Sequence, residues 1–333
     1  MPLSDVTLIQ SYEERPVIEK RTLGSSGIEI TPLVLGGNVF GWTADERQSF
    51  RILDAFVDAG GTMIDTADVY SFWVDGHQGG ESERVIGNWL KRNPAKRDKV
   101  QIATKVGFKE GLGPDAVRRA CEASLGRLGI GTIDVYYQHK DDPKVPLAES
   151  LGVFDDLKRE GKIQAVGLSQ FTAERLDETM TVAAAGGFER PCVFQTWYNL
   201  VEREKLEGPL RDAAMKHGLG ILPFYALANG FLTGKYRTRE DISKSVRGER
   251  NVDYLEGRGI RVLEAMDEIA AETGAPLGAI AIAWTLAQPG IVGALASATS
   301  VDQLEQSFAA LTLELSPDQI GRLDAASAEA VPA

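Results

Sequence analysis

Cysteine and histidine are scarce in this chain: two cysteines, Cys121 and Cys192, and three histidines, His77, His139 and His217, in 333 residues. Two cysteines cannot build the disulfide framework of a small secreted domain. Both sit in apolar helix and strand patterns, where buried free thiols of a cytoplasmic protein are expected. The histidines are far apart in sequence and none is paired at helical spacing, so no metal site is expected. Long apolar runs are also missing, and nothing approaches the 18 or more residues that read as a membrane span. A basic excess is absent too, with 36 Lys and Arg against 48 Asp and Glu for a net charge of -12, which argues against nucleic acid or an anionic membrane as a partner. Met1 to Arg15 lacks a signal peptide's basic and apolar regions, and a cytoplasmic location is the expectation.

What is present is an ordinary globular composition, 43% hydrophobic and 25% charged, enough to bury a large core. Short apolar runs alternate with helical patterns along most of the chain, the arrangement of successive βα units. Strands are expected at 33–36, 62–65, 100–104, 133–138, 163–168, 192–196, 220–224 and 291–295. A helix over 44–59 carries a capping-box signature, Thr43 followed by Glu46, and ends at Gly60 and Gly61. Another is expected over 82–92, and later helices begin near Pro114, Pro146 and Thr172. About 70 residues separate the last two strands, so that gap must hold an insertion as well as a helix. Its first part, 234–259, is charged and glycine-containing with little apolar periodicity and reads as a surface loop. The fold class expected is an α/β protein, a (β/α)8 barrel, because such barrels often run to this length as one domain. That domain would span 1–333, with 1–16 as a loosely ordered extension.

Four polar residues stand at or just past the ends of these strands: Asp65, Tyr70, Lys105 and His139. In a closed parallel barrel all such ends open on one face, where residues distant in sequence converge. A phenol loses its proton near pH 10, and a neighbouring ammonium lowers that value. Lys105 would supply the ammonium, Asp65 would hold it charged and oriented, and His139 would donate or relay a proton. Together they would make a tuned general acid beside a carbonyl. Any one of them alone is as readily a surface ion pair. Asp68 reads as a residue that caps or solvates the loop before Tyr70.

At these positions the sequence resembles the aldo-keto reductase family. The segments that carry the resemblance are Ile64-Asp-Thr-Ala-Asp-Val-Tyr70, Gly79-Gly-Glu-Ser-Glu-Arg-Val-Ile-Gly87, Ala103-Thr-Lys105, Tyr137-Gln-His139 and Gly167-Leu-Ser-Gln-Phe171. Phe194-Gln-Thr-Trp-Tyr-Asn-Leu200 and Pro223-Phe-Tyr-Ala-Leu-Ala-Asn-Gly-Phe-Leu-Thr-Gly-Lys235 follow. Seven segments in the family's order, from about Val17 to Leu323, make a specific match. The resemblance implies that Asp65, Tyr70, Lys105 and His139 are a catalytic tetrad of a reversible carbonyl reductase using NADP(H) or NAD(H). It also implies that the strands flanking Gly24-Ser-Ser-Gly27 are a β-hairpin closing the barrel bottom, with long loops on the catalytic face.

A glycine pattern at Gly111-Leu-Gly113-Pro-Asp-Ala116 imitates a dinucleotide-binding turn, but Val106 to Glu110 separate it from the preceding strand, so it reads as a helix start. By resemblance the cofactor would instead meet Ser169, Gln170 and Gln195 at its carboxamide, with Tyr225 stacking on the nicotinamide. Gln170 stands where the family often has Asn. Backbone around Leu227, Gly230 and Leu232, with Lys235, would meet the pyrophosphate. The adenosine end would fall on Ser297, Thr299, Gln303, Gln306 and Ser307. This stretch has no Lys or Arg to pair with a 2′-phosphate, so NADP(H) is the family default and NAD(H) stays open.

Phe40, Trp42, Phe72, Trp73, Phe108 and Trp197 could wall a pocket for a small carbonyl substrate. Two other functions share the same residues: a redox-sensing regulatory subunit of this fold, and a Schiff-base aldolase through Lys105. Asp65 argues against the second by keeping Lys105 charged.

Overall fold

A short antiparallel hairpin, β1 (Arg21–Thr22) and β2 (Glu29–Ile30), opens the part of the chain that the computed structural model describes, residues 18–328. The expected loose extension over 1–16 lies outside the described residues. Leu23, Ile28 and Ile30 of the hairpin join the apolar cluster inside the barrel, so the hairpin plugs one end. Its turn presses so tightly on the sheet that a Cβ at Gly24 would lie 2.0 Å from the Cys192 carbonyl oxygen. Only glycine fits there, and its positive φ suits the turn.

Eight parallel strands follow: β3 (Leu33–Gly36), β4 (Met63–Asp65), β5 (Gln101–Val106), β6 (Ile133–Gln138), β7 (Ile163–Ser169), β8 (Val193–Trp197), β9 (Gly220–Phe224) and β10 (Ala294–Ala296). They pair in the order β10-β3-β4-β5-β6-β7-β8-β9. A parallel bridge between Ile221 and Ile291 joins the two ends of the sheet. Alternate residues Val34, Met63, Ala103, Val135, Tyr137, Ala165, Val193, Leu222 and Leu295 fill the interior, as the two-residue period of strands requires. The fold is the (β/α)8 barrel read from the sequence.

The helices α1 (Glu46–Asp58), α2 (Glu81–Arg92), α3 (Pro114–Leu128), α4 (Leu147–Arg159), α5 (Ala173–Gly186) and α6 (Pro209–Lys216) fill the crossovers between β3 and β9. Each lays an apolar stripe on the outer sheet face; α1 buries Ile52, Leu53 and Phe56, on the order of 1.5–3 kcal/mol for each large side chain. The cap of α1 differs from the expected Thr43–Glu46 box. Asp45 accepts from the Gln48 backbone N–H at 2.7 Å, because the bridge between Phe40 and Ala44 holds the chain extended one residue too long for Thr43 to cap.

Between β9 and β10 lie α7 (Arg258–Thr273) and α8 (Leu277–Leu286), and after β10 come α9 (Val301–Phe308) and α10 (Pro317–Ser327). All of α8 after Leu277 is buried, and among the described residues no single helix is long and apolar enough to cross a membrane. Segment 234–259 is not the plain loop expected. It folds into 3-10 turns over Arg239–Lys244 and Gly248–Leu255, the first with a Thr238–Asp241 capping box. Gly248 and Asn251 are buried, and a Cβ at Gly248 would lie 1.7 Å from the Ile242 carbonyl oxygen. Close backbone packing orders this segment, and periodicity does not report it.

Candidate active site

The barrel register brings the four polar residues together. Asp65 ends β4, opposite Ala103 of β5, and Lys105 lies two residues further along β5, opposite Tyr137 of β6. His139 follows β6 directly, its backbone N–H donating to Val106 O at 2.8 Å. Tyr70 returns over the strand ends on a turn anchored by Asp68 N–H donating to Lys105 O at 3.2 Å. The Lys105 ammonium donates to Asp65 Oδ1, to Thr66 O at 2.8 Å and to Tyr70 Oη at 3.1 Å. The other Asp65 oxygen accepts from Gln195 Nε2 at 2.6 Å. The His139 ring stands 6.1 Å from the Tyr70 ring, edge-on.

The electrostatics correct one expectation. Burial, followed by the Asp65 carboxylate, holds the Tyr70 phenol well above its ordinary range. Lys105 does not lower it, because that ammonium is spent on Asp65, and Tyr70 stays protonated through the neutral range. Burial also pulls Lys105 down from its ordinary value, against Asp65, which holds it up. With three acceptors around its nitrogen, Lys105 is a charged donor and not a free amine. Burial, then Lys105 and Lys140, push His139 well below its ordinary value, so its imidazole is neutral. Its Nδ1 is buried with no hydrogen-bond partner.

Asp68 does cap the loop, through a hydrogen bond with the Val69 backbone, but it is not a solvated residue. Its Oδ1 is buried without a partner, and burial, reinforced by Glu83, raises its pKa from 3.8 to about 7. The folded chain therefore binds a proton there more tightly than the unfolded chain. That stability is complete below about pH 4 and is lost as pH rises towards 7, by about 4 kcal/mol at 1.36 kcal/mol per unit.

The other sequence candidates divide into groups. Ser169, buried, ends β7 opposite the buried Gln195 in the middle of β8, and Gln170, with positive φ, donates from Nε2 to His139 O at 3.0 Å. Tyr225 follows β9, also with positive φ, its ring 4.3 Å from that of Trp197. Leu227 and Leu232 flank a turn in which Ala228, Asn229 and Gly230 all have positive φ. The Lys235 ammonium would lie 3.0 Å from a Cβ at Gly230.

At the far end Ser297 Oγ donates to Asn38 Oδ1 at 2.6 Å. Thr299 donates from both N–H and Oγ1 to Gln303 Oε1, at 2.9 and 3.0 Å. Gln306 is exposed. Ser307 is buried and donates to Gln303 O inside its own helix.

Among the aromatic candidates, the rings of Tyr70, Trp73, Phe72, Phe108 and His139 form a closed sequence of edge and tilted contacts between 5.0 and 6.3 Å. Trp42 packs on Trp73 at 5.5 Å, and Trp73 is 41% exposed at the mouth. Trp197 lies on the β8–β9 side with its indole N–H donating to Glu202. Phe40 does not join this group: it is fully buried in the core outside the barrel, where its apolar ring is better placed than in a wet mouth.

The arrangement is a buried acid–ammonium–phenol relay opening on an aromatic mouth. The model for the aldo/keto reductase family matches residues 32–328. The chain belongs to that family. This aldo-keto reductase, an oxidoreductase by its relatives, is 30% identical to the uncharacterized oxidoreductase YrpG of Bacillus subtilis (strain 168), over 92% of this chain and 95% of that one. It is 29% identical to the aldo-keto reductase str7 of Strobilurus tenacellus, over 84% and 81% of the two chains. It is 28% identical to a probable voltage-gated potassium channel subunit beta of Oryza sativa subsp. japonica, over 92% and 96%.

Two residues of this aldo-keto reductase escaped the sequence reading. Phe224 packs against the interior cluster with Leu222, and the strand alternation could have shown it facing the barrel interior at the catalytic end. Arg247, from the segment read as a surface loop, lies over the Trp42 ring at 5.2 Å with its Nη2 buried and unpartnered. Burial lowers its pKa, and Tyr225, Tyr236 and Tyr70 lie within its field. No local sequence signal marks it. Among the described residues no three of His, Cys, Asp and Glu converge as a metal-binding group.

Proposed function

We propose that this enzyme reduces an aldehyde or ketone, reversibly, with a reduced nicotinamide dinucleotide. The observation that carries the proposal is the Lys105 ammonium shared between Asp65 and the Tyr70 hydroxyl. Tyr70, kept protonated, gives its proton to the carbonyl oxygen. Lys105 meets the negative charge left on the phenol oxygen, and neutral His139 orients the carbonyl by hydrogen bonding. When bound, the nicotinamide supplies the hydride.

The residues present suit such a cofactor. Successive left-handed residues at 228–230 make a tight turn, beside which a pyrophosphate would lie. The Lys235 ammonium and the unpaired Arg247 guanidinium would add cationic groups for a pyrophosphate. Ser169, Gln170 and the carbonyl end of Gln195 would bond a carboxamide, and Tyr225 with Phe224 would bound the ring. Ser297, Thr299 and Gln303 would meet the adenosine ribose. With no cation in 297–307, we expect kcat/KM to show a weak or inverted preference for NADPH over NADH. Steady-state rates with each cofactor check this, and an NADPH preference on the order of a hundredfold, the scale of a strong charge-assisted contact, would sink it.

Initial rates of NADPH and NADH oxidation over a panel of aryl and aliphatic aldehydes test the whole reading. No consumption of either cofactor by a folded protein would remove it. A regulatory subunit that senses redox state is a second reading, favoured by the name of the rice relative. Repeated turnover on any aldehyde would make sensing secondary at most. The Schiff-base aldolase reading loses support from the three hydrogen bonds that occupy Lys105.

A further inference from the structure

Behind the Tyr70–Lys105 pair lies a second set of buried charges that the reduction does not use. Glu83 of α2 is fully buried; it accepts from Thr104 Oγ1 at 2.6 Å and from Arg127 Nε of α3 at 2.6 Å. Arg127 also donates to Ser124 Oγ at 3.1 Å. Asp68 sits on the turn between Asp65 and Tyr70, its backbone tied to Lys105 O.

The region thus holds three acids, Asp65, Asp68 and Glu83, and two cations. Lys105 is committed to Asp65, and Arg127 to Glu83. Asp68 is the acid left without a cation of its own, and its Oδ1 is buried with no partner. The charged groups that face it are Glu83 from α2, Arg127 from α3 and Lys105 from β5, with the uncharged Tyr136 of β6 beside them. A buried carboxyl without a counter-charge holds its proton.

We propose that Asp68 is a positioning residue that must be a neutral carboxylic acid for Tyr70 to release its proton efficiently. As Tyr70 gives up its proton, negative charge develops on its oxygen beside Lys105. A carboxylate at Asp68 would oppose that charge and draw on the field of the same ammonium. Ionisation of Asp68 then slows reduction on the order of tenfold, the rate cost of about 1.4 kcal/mol of like-charge repulsion. The other groups at the site leave the neutral range clear, since Tyr70 is held high and His139 low. The inference rests on the carbonyl-reductase reading above.

The test is the pH profile of kcat for aldehyde reduction from pH 5.5 to 9, on the wild type and on Asp68→Asn. The wild type should fall roughly tenfold with a midpoint near 7, and Asp68→Asn should be flat over the same range. A fall with the same midpoint in both proteins, or no fall in the wild type, overturns the proposal. A purely structural Asp68 would lower both arms without moving the midpoint, and that also overturns it.

Two readouts do not depend on turnover. The wild type should show a buried carboxylic-acid band in the infrared that is lost across the same midpoint, and no such band overturns the proposal even if the variant fails to fold. Urea stability should fall between pH 5.5 and 8.5 in the wild type but not in Asp68→Asn. If the infrared band and the stability change appear while no aldehyde is turned over, the neutral acid stands, and the reductase reading fails together with the positioning role built on it.

Discussion

Replacing Tyr70 by phenylalanine is expected to lower turnover of carbonyl reduction at least about a hundredfold while leaving the binding of nicotinamide dinucleotide nearly intact. The substitution removes one oxygen, the only atom of Tyr70 that accepts from Lys105 and donates towards Asp65. The ring keeps its contacts with Trp73 and His139, so the mouth should keep its shape. A lost general acid typically costs 10²–10⁴ in rate, and the loss should appear in kcat more than in cofactor affinity. Single-turnover kinetics together with a fluorescence titration of the cofactor separate the two. Unchanged turnover would take the proton-donor role from Tyr70.

Lys105→Met should be the more damaging change to the fold. Lys105 is 2% exposed and Asp65 is fully buried. Methionine matches the length of the lysine stem but leaves the Asp65 carboxylate with Gln195 as its remaining side-chain donor of full strength. Removing one partner of a buried ion pair costs on the order of 3–5 kcal/mol, because the other charge stays behind uncompensated. We expect unfolding in urea at pH 8 to shift by that amount. The shift should shrink in Lys105→Met combined with Asp65→Asn, since the stranded charge is then gone. A single variant as stable as the wild type would mean that Asp65 takes up a proton or finds water instead. Turnover of the single variant should fall at least as far as in Tyr70→Phe, because the phenol loses the cation that meets its developing charge.

Much of this architecture was legible along the chain because a barrel strand is short, apolar and followed by a helix with its own start signal. Leu33–Gly36, Ile133–Gln138 and Gly220–Phe224 fall where the apolar runs place them, and α3 begins at Pro114. Asp65, Tyr70, Lys105 and His139 stood out because a polar residue ending an apolar run has few reasons to be there. The misreadings share one cause. Phe40, Asp68, Arg247 and the turns within 234–259 have environments set by neighbours from other parts of the chain, and no local period reports those neighbours.

The sequence by itself determined the fold class, the strand positions and the family, because hydrophobic period, turn chemistry and motif order are properties of neighbouring residues. Only the tertiary structure decided the charge states. Tyr70 stays a phenol, Asp68 holds a proton and Arg247 arrives unpaired over Trp42 because burial and the supply of counter-charges depend on which groups the closed barrel gathers and which water it excludes.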